Sequence, residues 1–417
     1  MTRPITIIGA GIGGLVLALE LHQAGIPCRI YEAAPELRPL GVGINLLPHA
    51  TAVLGGLDVM DGLTAIAVET EESIFFNRFG QEIFSEPAGR RAGYQWPQLS
   101  IHRGELQLQL AEVVRRRIGA DAIVLDHQAT GVEQDENGIT VRFRSIRTGQ
   151  ERDSVTSDIA VSAEGVHSSV RKQFFPDEGA PKYSGVVMWR GTTVAPPFLT
   201  GASMVRAGWL TDGKLVIYPI KNAVDDDGNQ LVNWVAELEA PYTGGRDWGK
   251  QGDPADFLPA FEDWHFDWLD VPELLRGAES VLVYPMVDQD PLPQWTFGRV
   301  TLLGDAAHPM VPRGSNGAGQ AILDAHALRL ALESTTDRQE ALRAYEADRL
   351  PKTSAVVLTN RTNPPDAILR EVWERTGDRP FNDINDVISP EELAKISQNY
   401  QTIAGFEVPA TTSVSAS

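Results

Sequence analysis

The sequence predicts an α/β protein in which a parallel sheet is interrupted by a mostly β insertion and followed by a C-terminal helical segment. Two short apolar runs, at 5–8 and 158–163, are typical of strands buried on both faces of a parallel sheet. Between 184 and 290, short β-rich runs alternate with polar loops. Helical periodicity returns at 317–333 and 338–350, which indicates that the first domain resumes after the insertion.

The opening segment has the pattern of a strand, a tight glycine turn and a helix. Three isoleucines and a threonine occupy 5–8, and glycines follow at Gly9, Gly11 and Gly14. Gly9 permits the turn, Gly11 lets a diphosphate approach the backbone, and Gly14 lets the helix pack closely on the sheet. The helix N-terminus offers free N–H groups to phosphate oxygens. Strand, turn and helix together predict a dinucleotide site far more strongly than the glycine spacing alone.

An acidic residue stands where such a site needs one. A second short strand is predicted at 29–31, and Glu32 follows at its end. A carboxylate at this point accepts hydrogen bonds from the ribose hydroxyls of the nucleotide. It would also repel a 2′-phosphate, so the sequence disfavours NADP as the occupant of this site.

Composition excludes several other classes of protein. The chain has 417 residues, 42% hydrophobic and 22% charged, which predicts a soluble globular protein of two domains. No apolar run is long enough for a transmembrane helix, and the formal charge of −20 argues against binding to nucleic acid or an anionic membrane. The single cysteine, Cys28, excludes an internal disulfide and fits a reducing cytoplasm. No zinc-ligand spacing occurs, so no metal site is predicted.

Two further segments carry glycine and acidic residues at predicted strand ends. Glu164-Gly165 follows the run at 158–163, and Gly304-Asp305-Ala306-Ala307-His308-Pro309 follows a short apolar run at 301–303. With the opening segment, these motifs resemble the single-component, group A FAD-dependent aromatic monooxygenases, the family of p-hydroxybenzoate and salicylate hydroxylases. The resemblance covers roughly residues 3–350. Within the family, the phenazine-modifying hydroxylases share stretches such as 38–45, 100–106, 188–191 and 284–288.

The resemblance implies a fold and its boundaries. It is a Rossmann-type FAD-binding domain with a β-sheet substrate domain inserted and a C-terminal helical segment. The FAD-binding domain is expected at 1–72, 100–183 and 281–355, and the substrate domain at 73–99 and 184–280. Helices are expected at 356–407, and the Ser/Thr/Ala-rich tail at 408–417 is expected to be disordered.

The resemblance also implies how FAD is held. Asp305 would bond the ribityl hydroxyls, Arg103 would clamp the diphosphate, and the helix opened by 312–317 would face the pyrimidine edge of the flavin with its N-terminal amides. The family normally has Asp where this chain has Glu164, and that Asp serves both FAD and NAD(P)H, so docking of the nicotinamide is the function in question. The predicted cofactor residues are Gly9, Gly11, Ile12, Gly13, Gly14, Glu32, Ala33, Val42, Gly43, Arg103, Leu125, Glu164, Gly165, Asp305, Gly314, Ser315, Asn316 and Gly317.

The expected activity is oxygen transfer from the reduced flavin to an electron-rich aromatic carbon, with O2 and with NADH or NADPH as a transient electron donor. Such a site needs an apolar pocket with few polar anchors. The candidates for lining it are Trp189, Arg190, Tyr218 and Trp234, and each of them could equally be sheet core. Arg190 could instead pair a carboxylate substrate.

Near the flavin, His308 and Pro309 are the candidate catalytic residues, with a structural role favoured for His308. Two alternatives stay open at this point: a flavin oxidase or dehydrogenase, and a non-catalytic binder of an apolar ligand. The sequence fits a monomer or a homodimer equally well.

Overall fold

The computed structural model describes residues 3–241, 250–362 and 364–405. The tail predicted at 408–417 to be disordered lies outside these residues. Through residue 174 the elements are β1 (Ile5–Ile8), α1 (Ile12–Gln23), β2 (Cys28–Tyr31), β3 (Gly43–Leu46), α2 (Pro48–Gly56), α3 (Met60–Thr64), β4 (Ala67–Thr70), β5 (Glu72–Phe76), β6 (Glu82–Pro87), β7 (Gln98–His102), α4 (Arg103–Ile118), β8 (Ile123–Val124), β9 (Gln128–Asp135), β10 (Gly138–Arg144), β11 (Glu151–Ser157), β12 (Ala160–Ser162) and α5 (Ser169–Phe174).

The remaining elements begin with the longest strand of the described chain. They are β13 (Lys182–Ala195), β14 (Ser203–Trp209), β15 (Gly213–Lys221), β16 (Gln230–Glu239), β17 (His265–Phe266), β18 (Leu269–Asp270), α6 (Val271–Arg276), β19 (Val281–Asp288), β20 (Thr296–Phe297), β21 (Val300–Leu302), α7 (Gly317–Ser334), α8 (Arg338–Thr362), α9 (Ala367–Thr376) and α10 (Pro390–Ala404). No helix of the described ranges is long and apolar enough to cross a membrane.

A mostly parallel sheet carries the N-terminal half of the fold. Its strand order is β20-β21-β12-β1-β2-β8, and only the β20–β21 pair is antiparallel. β1 is buried along its whole length because it has a parallel neighbour on each side, β12 and β2. Helix α1 is buried over most of its length, which explains why its sequence is apolar on more than one face. The predicted α/β class is confirmed.

A larger sheet forms the second layer. Its order is β19-β13-β16-β15-β14-β5-β6, and every pairing is antiparallel except β14 with β5. Along β13, β15 and β16 alternate side chains point to opposite faces. One face packs on the short segments 254–276 and buries a core rich in tryptophan and phenylalanine. The other face turns towards the segment 311–315 and towards Asp366, the N-cap of α9.

Sheet pairing corrects one predicted boundary. The segment from 281 was assigned to the FAD-binding domain, but β19 at Val281–Asp288 pairs with β13 in the large sheet. Leu302 and its neighbours in β21 then return to the parallel sheet. The error arose because an apolar strand of this length is equally compatible with either sheet, and only its hydrogen-bond partner distinguishes them.

Helix α8 also departs from prediction. The periodicity predicted an end at 350, before Pro351, whereas α8 continues to Thr362 with Pro351 inside it. A proline within a helix removes one backbone hydrogen bond. Val356 and Val357 beyond it are buried and keep the apolar face continuous, so tertiary packing outweighs that cost.

Candidate FAD and substrate site

The carboxyl ends of the parallel strands form one continuous rim. Beyond each strand end, one further backbone N–H donates to the neighbouring strand, which fixes the order of the loops along the sheet edge. These bonds are Leu303 N to Ser162 O (2.9 Å), Ala163 N to Ile8 O (2.8 Å), Gly9 N to Tyr31 O (2.8 Å) and Glu32 N to Val124 O (2.8 Å). Ligands of open α/β sheets bind at such an edge. The rim therefore brings the three predicted glycine and acidic motifs to one place, with Ala33 and Leu125 beside Glu32.

The glycines of the opening turn serve two purposes: two of them allow close packing, and one leaves open space. At Gly9, whose φ is +106°, a Cβ would lie 2.4 Å from the Ala163 carbonyl oxygen, and at Gly14 it would lie 2.1 Å from the Gly9 carbonyl oxygen. Both positions therefore need glycine for packing. At Gly11 a Cβ would have no atom within 4 Å, although its φ is an ordinary −68°. Gly11 thus borders open space at the N-terminus of α1, where a diphosphate would lie.

Glu32 is held in place by the loop around it. Its two carboxylate oxygens accept hydrogen bonds from Ala10 N (2.6 Å) and Ala34 N (2.8 Å). A carboxylate has about four acceptor positions, so roughly two stay available to hydroxyl donors such as those of a ribose.

The opening turn and the segment around residue 305 are in direct contact. A Cβ on Gly13 would lie 2.7 Å from Leu303 Cδ2 and 3.2 Å from Ala321 Cβ, so the start of α1 packs against the end of β21 and against α7. Asp305 is exposed although the residues on both sides of it are buried. Its side chain accepts no hydrogen bond from any residue that the structure describes, which leaves the carboxylate available to a ligand.

The start of α7 is uncapped. Its N-cap, Asn316, makes no side-chain hydrogen bond to the first turn, so the N–H groups of that turn keep their partial positive charge. The turn before it contains two successive left-handed residues, Gly314 (φ 71°) and Ser315 (φ 57°). A left-handed conformation at a serine costs energy, and such strain is typical of ligand-binding turns.

The loop 40–43 is tied to the large sheet. The Gly43 carbonyl accepts hydrogen bonds from Arg190 Nη2 (2.8 Å) and Tyr218 Oη (2.9 Å), and Gly43 N donates to Asn233 Oδ1 (2.8 Å). Burial raises the pKa of Tyr218, which keeps its hydroxyl a neutral donor. Two predicted substrate residues, Arg190 and Tyr218, therefore also fix the loop that carries predicted cofactor residues.

Arg103 begins α4 on the same side of the molecule. Its side chain is exposed and lies over Gly41, where a Cβ would be 3.7 Å from Arg103 Cδ. Within the described ranges no acceptor binds its guanidinium group. An exposed guanidinium without a partner can serve a diphosphate, as the resemblance implies.

A cleft lies between the large sheet and the turn before α7. It is lined by Met188, Arg190, Met204, Arg206, Lys214, Val216, Tyr218, Val235, Glu237, Pro312, Arg313, Gly314, Ser315 and Asp366.

Two of the predicted substrate residues do not line this cleft. Trp189 and Trp234 point to the opposite face of the large sheet, where both are buried in its core. Trp189 stacks on Phe257, and Trp234 Nε1 donates to Thr193 Oγ1 (3.1 Å). Because alternate residues of a strand face opposite sides, Arg190 faces the cleft and its neighbour Trp189 cannot. The sequence left pocket lining and sheet core open for both tryptophans, and the structure places both in the sheet core.

The floor of the cleft is a buried group of four charges. Lys214 Nζ lies 3.0 Å from Glu237 Oε2 and 2.5 Å from Asp366 Oδ2, and Arg206 Nε lies 3.3 Å from Asp366 Oδ1. Burial alone would raise the pKa of Asp366, but Lys214 and Arg206 outweigh it and lower the pKa below its ordinary value. The two cations of this group, Arg206 and Lys214, balance its two carboxylates. The other cations that line the cleft, Arg190 and Arg313, have no carboxylate partner in this group.

The predicted catalytic residue His308 belongs to a buried ion network. His308 Nε2 lies 2.6 Å from Asp324 Oδ2, and Asp324 Oδ1 accepts from Arg349 Nε (2.8 Å). Asp324 Oδ2 also accepts from Gly304 N (3.0 Å), so the network holds the turn that carries Asp305. His308 thus helps to hold this turn, and the neighbouring Pro309 is buried as well. A catalytic role for either residue stays a prediction.

Sequence reasoning missed Asp324, Arg349 and Arg171. Arg171 Nη1 donates to the carbonyls of Ala306 (2.9 Å) and Ala307 (3.0 Å), which joins the Glu164 motif to the Asp305 motif. One available signal was a charged residue on the apolar face of a predicted helix, since Asp324 lies between Ile322 and Ala325. Such a residue needs a buried partner.

The Glu164 carboxylate accepts several hydrogen bonds from the residues around it. It accepts from the hydroxyls of Ser162 (2.7 Å), Ser168 (2.8 Å) and Ser169 (2.7 Å), and from Ser169 N (3.1 Å) and Val170 N (3.3 Å) at the start of α5. The carboxylate therefore lies at the N-terminus of α5, where free backbone N–H groups favour negative charge. Its geometry is that of a helix cap, and Gly165 beside it has a φ of 76°.

These features suit a bound FAD. Open space at Gly11, an exposed carboxylate at Asp305, an unpaired guanidinium at Arg103 and the uncapped start of α7 are groups that a dinucleotide cofactor could use. The sequence matches the family model described as FAD binding domain over residues 2–187 and 286–360. The chain belongs to this family.

Comparisons with individual proteins agree with that assignment. The chain is 41% identical over 404 residues to phenazine 1,6-dicarboxylic acid hydroxylase PhzS of Lysobacter antibioticus, covering 96% of each chain. It is 34% identical over 364 residues to 3-amino-4-hydroxybenzoate 2-monooxygenase of Streptomyces cremeus, covering 84% of each chain. Klebsiella pneumoniae HpxO complexed with FAD and uric acid has a similar fold, with a TM-score of 0.72 and 23% identity over 96% of this chain and 93% of that chain.

The protein is therefore an FAD-dependent monooxygenase that hydroxylates an aromatic or heteroaromatic small molecule with NAD(P)H and O2. The expected FAD and the expected class of activity are confirmed. Neither alternative, the oxidase or dehydrogenase and the non-catalytic binder, finds support among the relatives.

Proposed function

We propose that the substrate is a planar aromatic or heteroaromatic carboxylate bound in the cleft beside the turn at 312–315. The observation that carries this proposal is a pair of arginines with unused donors. Arg190 Nε and Arg313 Nε are both buried and have no hydrogen-bond partner among the described residues, and both residues line the cleft. Buried donors normally have partners, so these two call for an acceptor supplied by a ligand.

The charge of the cleft supports an anion. Its lining contains four cationic side chains, Arg190, Arg206, Lys214 and Arg313, against the two carboxylates Glu237 and Asp366. Since Arg206 and Lys214 balance Glu237 and Asp366, the net positive charge of the lining comes from Arg190 and Arg313. Arginine forms strong charge-assisted bonds with carboxylates. The two relatives compared above act, by their names, on a phenazine dicarboxylic acid and an aminohydroxybenzoate, which are both aromatic carboxylates.

The apolar side chains of the lining provide a surface on which the substrate ring can pack. Apolar surface in the cleft is supplied by Met188, Met204, Val216 and Val235. Such surface excludes water, and methionine adapts to the outline of a flat ring. The chain thereby orients the ring while the bound FAD supplies the redox chemistry and the activation of O2.

We further propose which residues hold FAD. Gly11 and the start of α1 would receive the diphosphate together with Arg103, Glu32 would bind the ribose of the adenosine, and Asp305 would bind the ribityl chain. The uncapped start of α7 would stabilise negative charge on the reduced flavin. The open space at Gly11 and the free carboxylate of Asp305 support these roles.

The first test is Arg313→Gln. The Arg313 side chain makes no hydrogen bond within the described ranges, so the substitution removes a charge without breaking a bond of the protein. We expect KM for an aromatic carboxylate to rise about tenfold or more, as for loss of a charge-assisted hydrogen bond. The matched uncharged carboxamide should show little change. Steady-state NAD(P)H oxidation coupled to product analysis measures both.

Arg276→Gln is the control for this test, because Arg276 lies at the surface and pairs with Glu262. It should leave both KM values as they are. An equal rise of KM for the carboxylate and the carboxamide in Arg313→Gln would refute recognition of the carboxylate, while leaving the monooxygenase activity itself intact.

We also propose that the enzyme works in a reducing compartment, the cytoplasm, as a monomer or a homodimer. Burial raises the pKa of the Cys28 thiol to about 12, so little of the reactive thiolate forms at neutral pH. As the single cysteine of the chain, Cys28 cannot form an internal disulfide. Light scattering of the purified holoenzyme distinguishes the two assemblies.

A further inference from the structure

We propose that Tyr400, on helix α10, is a positioning residue that holds the turn shared by the flavin site and the substrate cleft. We call residues 311–316 the shared turn. This inference rests on FAD binding and monooxygenation by the family, and it does not depend on the substrate being a carboxylate. Tyr400 lies 40 residues beyond the part of the chain that matches the family model, which ends at residue 360.

The Tyr400 hydroxyl lies at the centre of a buried hydrogen-bond chain. It accepts from Asn316 Nδ2 (2.6 Å) and donates to Asn360 Oδ1 (2.8 Å). Asn360 Nδ2 in turn donates to the Val311 carbonyl (3.5 Å). Asn316, Asn360 and Tyr400 are all buried. One hydroxyl from α10 thus connects α8 with both ends of the shared turn.

The backbone of the shared turn is shaped against the phenol ring. A Cβ on Gly314 would lie 1.9 Å from Tyr400 Oη and 2.5 Å from Tyr400 Cζ. The left-handed φ of 71° at Gly314 independently favours glycine. The Gly314 carbonyl accepts from Asn316 Nδ2 (3.1 Å), the same amide that donates to Tyr400. The conformation of the turn and the position of Tyr400 therefore depend on each other.

The shared turn has two faces. Pro312, Arg313, Gly314 and Ser315 line the substrate cleft, and Asn316 is the N-cap of α7, whose uncapped amides are the proposed flavin contact. A shift of this turn would displace the substrate wall relative to the flavin edge. In oxygen transfer, a displacement of about 1 Å at the reacting centre can cost orders of magnitude in rate. Tyr400 does not line the cleft, so it would act on the site through the shared turn.

Other contacts fix α10 to the protein without reaching the turn. Ser397 Oγ, on the same helix, donates to Glu86 Oε2 on β6 (2.7 Å) and is buried. Leu393 packs with Ile368, Leu369 and Val372 of α9 in a small apolar core. Ser397→Ala therefore removes one buried hydrogen bond of α10 that does not reach the shared turn, while the apolar contacts of the helix remain, which makes it a matched control.

The experiment compares Tyr400→Phe with Ser397→Ala in the full-length holoenzyme. Tyr400→Phe keeps the ring and removes the hydroxyl. We expect the dissociation constant for FAD to rise about fivefold to tenfold, the equivalent of one net hydrogen bond. The fraction of consumed NAD(P)H that yields hydroxylated product should fall, with the remainder appearing as hydrogen peroxide. The visible absorption bands of the bound flavin should shift, since its surroundings change. Ser397→Ala should alter none of these three readouts.

A thermal melt of each apoprotein accompanies these assays, because both substitutions remove a buried hydroxyl. Comparable melting temperatures with a selective effect of Tyr400→Phe on FAD affinity and coupling support a positioning role. Unchanged affinity and coupling in Tyr400→Phe overturn it, as do equal changes in the two variants.

A double-mutant cycle of Gly314→Ala with Tyr400→Ala keeps the proposal testable if Tyr400→Phe folds poorly. Gly314→Ala alone should release FAD because the new methyl group meets the phenol. In the Tyr400→Ala background, Gly314→Ala should lower FAD affinity by less, since the clash with the phenol is gone and only the backbone strain remains. Additive losses of FAD affinity would contradict direct contact between the two positions.

Discussion

Gly11→Trp is expected to yield a folded, colourless protein that does not retain FAD and has no monooxygenase activity. At Gly11 the backbone has an ordinary φ and a Cβ meets no atom within 4 Å, so the fold accepts a side chain there. An indole group at the start of α1 would occupy the space next to the helix N-terminus in which the diphosphate is proposed to lie. The ratio of flavin absorbance to protein absorbance after purification measures retention, and circular dichroism verifies the fold.

Gly56→Trp is the matched control for this substitution. Gly56 also has no atom within 4 Å of a built Cβ and has no left-handed φ, but it ends α2 at an exposed position. The control should stay yellow and active. A yellow, active Gly11→Trp protein would place the cofactor elsewhere and remove the basis of the site assignment.

Asp324→Asn is expected to lower the free energy of unfolding by about 3–5 kcal/mol, because it removes one partner of a buried ion network. Asp324 is fully buried and joins His308, Arg349 and the amide of Gly304. The amide that replaces it leaves the Arg349 guanidinium buried without a counter-charge, although Gln320 Oε1 still accepts from it (2.5 Å). Since the network supports the turn that carries Asp305, FAD affinity should fall as well. Denaturant titration gives the free energy, and fluorescence of released FAD gives the affinity.

The same carboxylate predicts a pH dependence. Burial would raise the pKa of Asp324, but His308 and Arg349 outweigh it and lower the pKa from its ordinary 3.8 to about 2. A carboxyl group whose pKa is lower in the folded state stabilises the protein above its unfolded pKa, and that contribution is lost as the pH falls through the folded pKa. Stability should therefore decline between about pH 4 and pH 2, and more steeply in the parent protein than in Asp324→Asn.

Asp290→Asn serves as the control, since Asp290 is exposed and its ion pairs with Lys182 and Arg361 lie at the surface. Exposed pairs contribute little, so the unfolding midpoint should change only slightly. If Asp324→Asn were no less stable than this control, the network would have no structural role.

The cofactor side of the site was largely predictable from the sequence. Strand, glycine turn and helix are local patterns, and Gly9, Gly11, Gly14 and Glu32 occur within one βαβ unit whose geometry is nearly invariant. Asp305 is far away in sequence, and the resemblance to a known family, not its spacing, assigned it to the same ligand. The roles of these residues towards FAD stay predictions until the variants above are measured.

The substrate side was not predictable in the same way. Trp189 and Arg190 are neighbours in one strand, and which of them faces the cleft depends on which face of the sheet is covered by residues 254–276. A shift of one residue in register would exchange them. The sequence indicates both residues as pocket candidates. No local pattern predicts the register of the strand, and so none predicts which of the two faces the cleft.

Taken by itself, the sequence determined the α/β class, the dinucleotide-binding turn and the family, because these follow from short-range patterns of glycine, apolar and acidic residues. Tertiary structure alone decided that Tyr400 meets Gly314, that Asp324 joins His308 to Arg349, and that Arg190 and Arg313 share one cleft. The physical reason is that buried charges and hydroxyls need partners, and the partner is whichever group the packing of distant elements brings within about 3 Å.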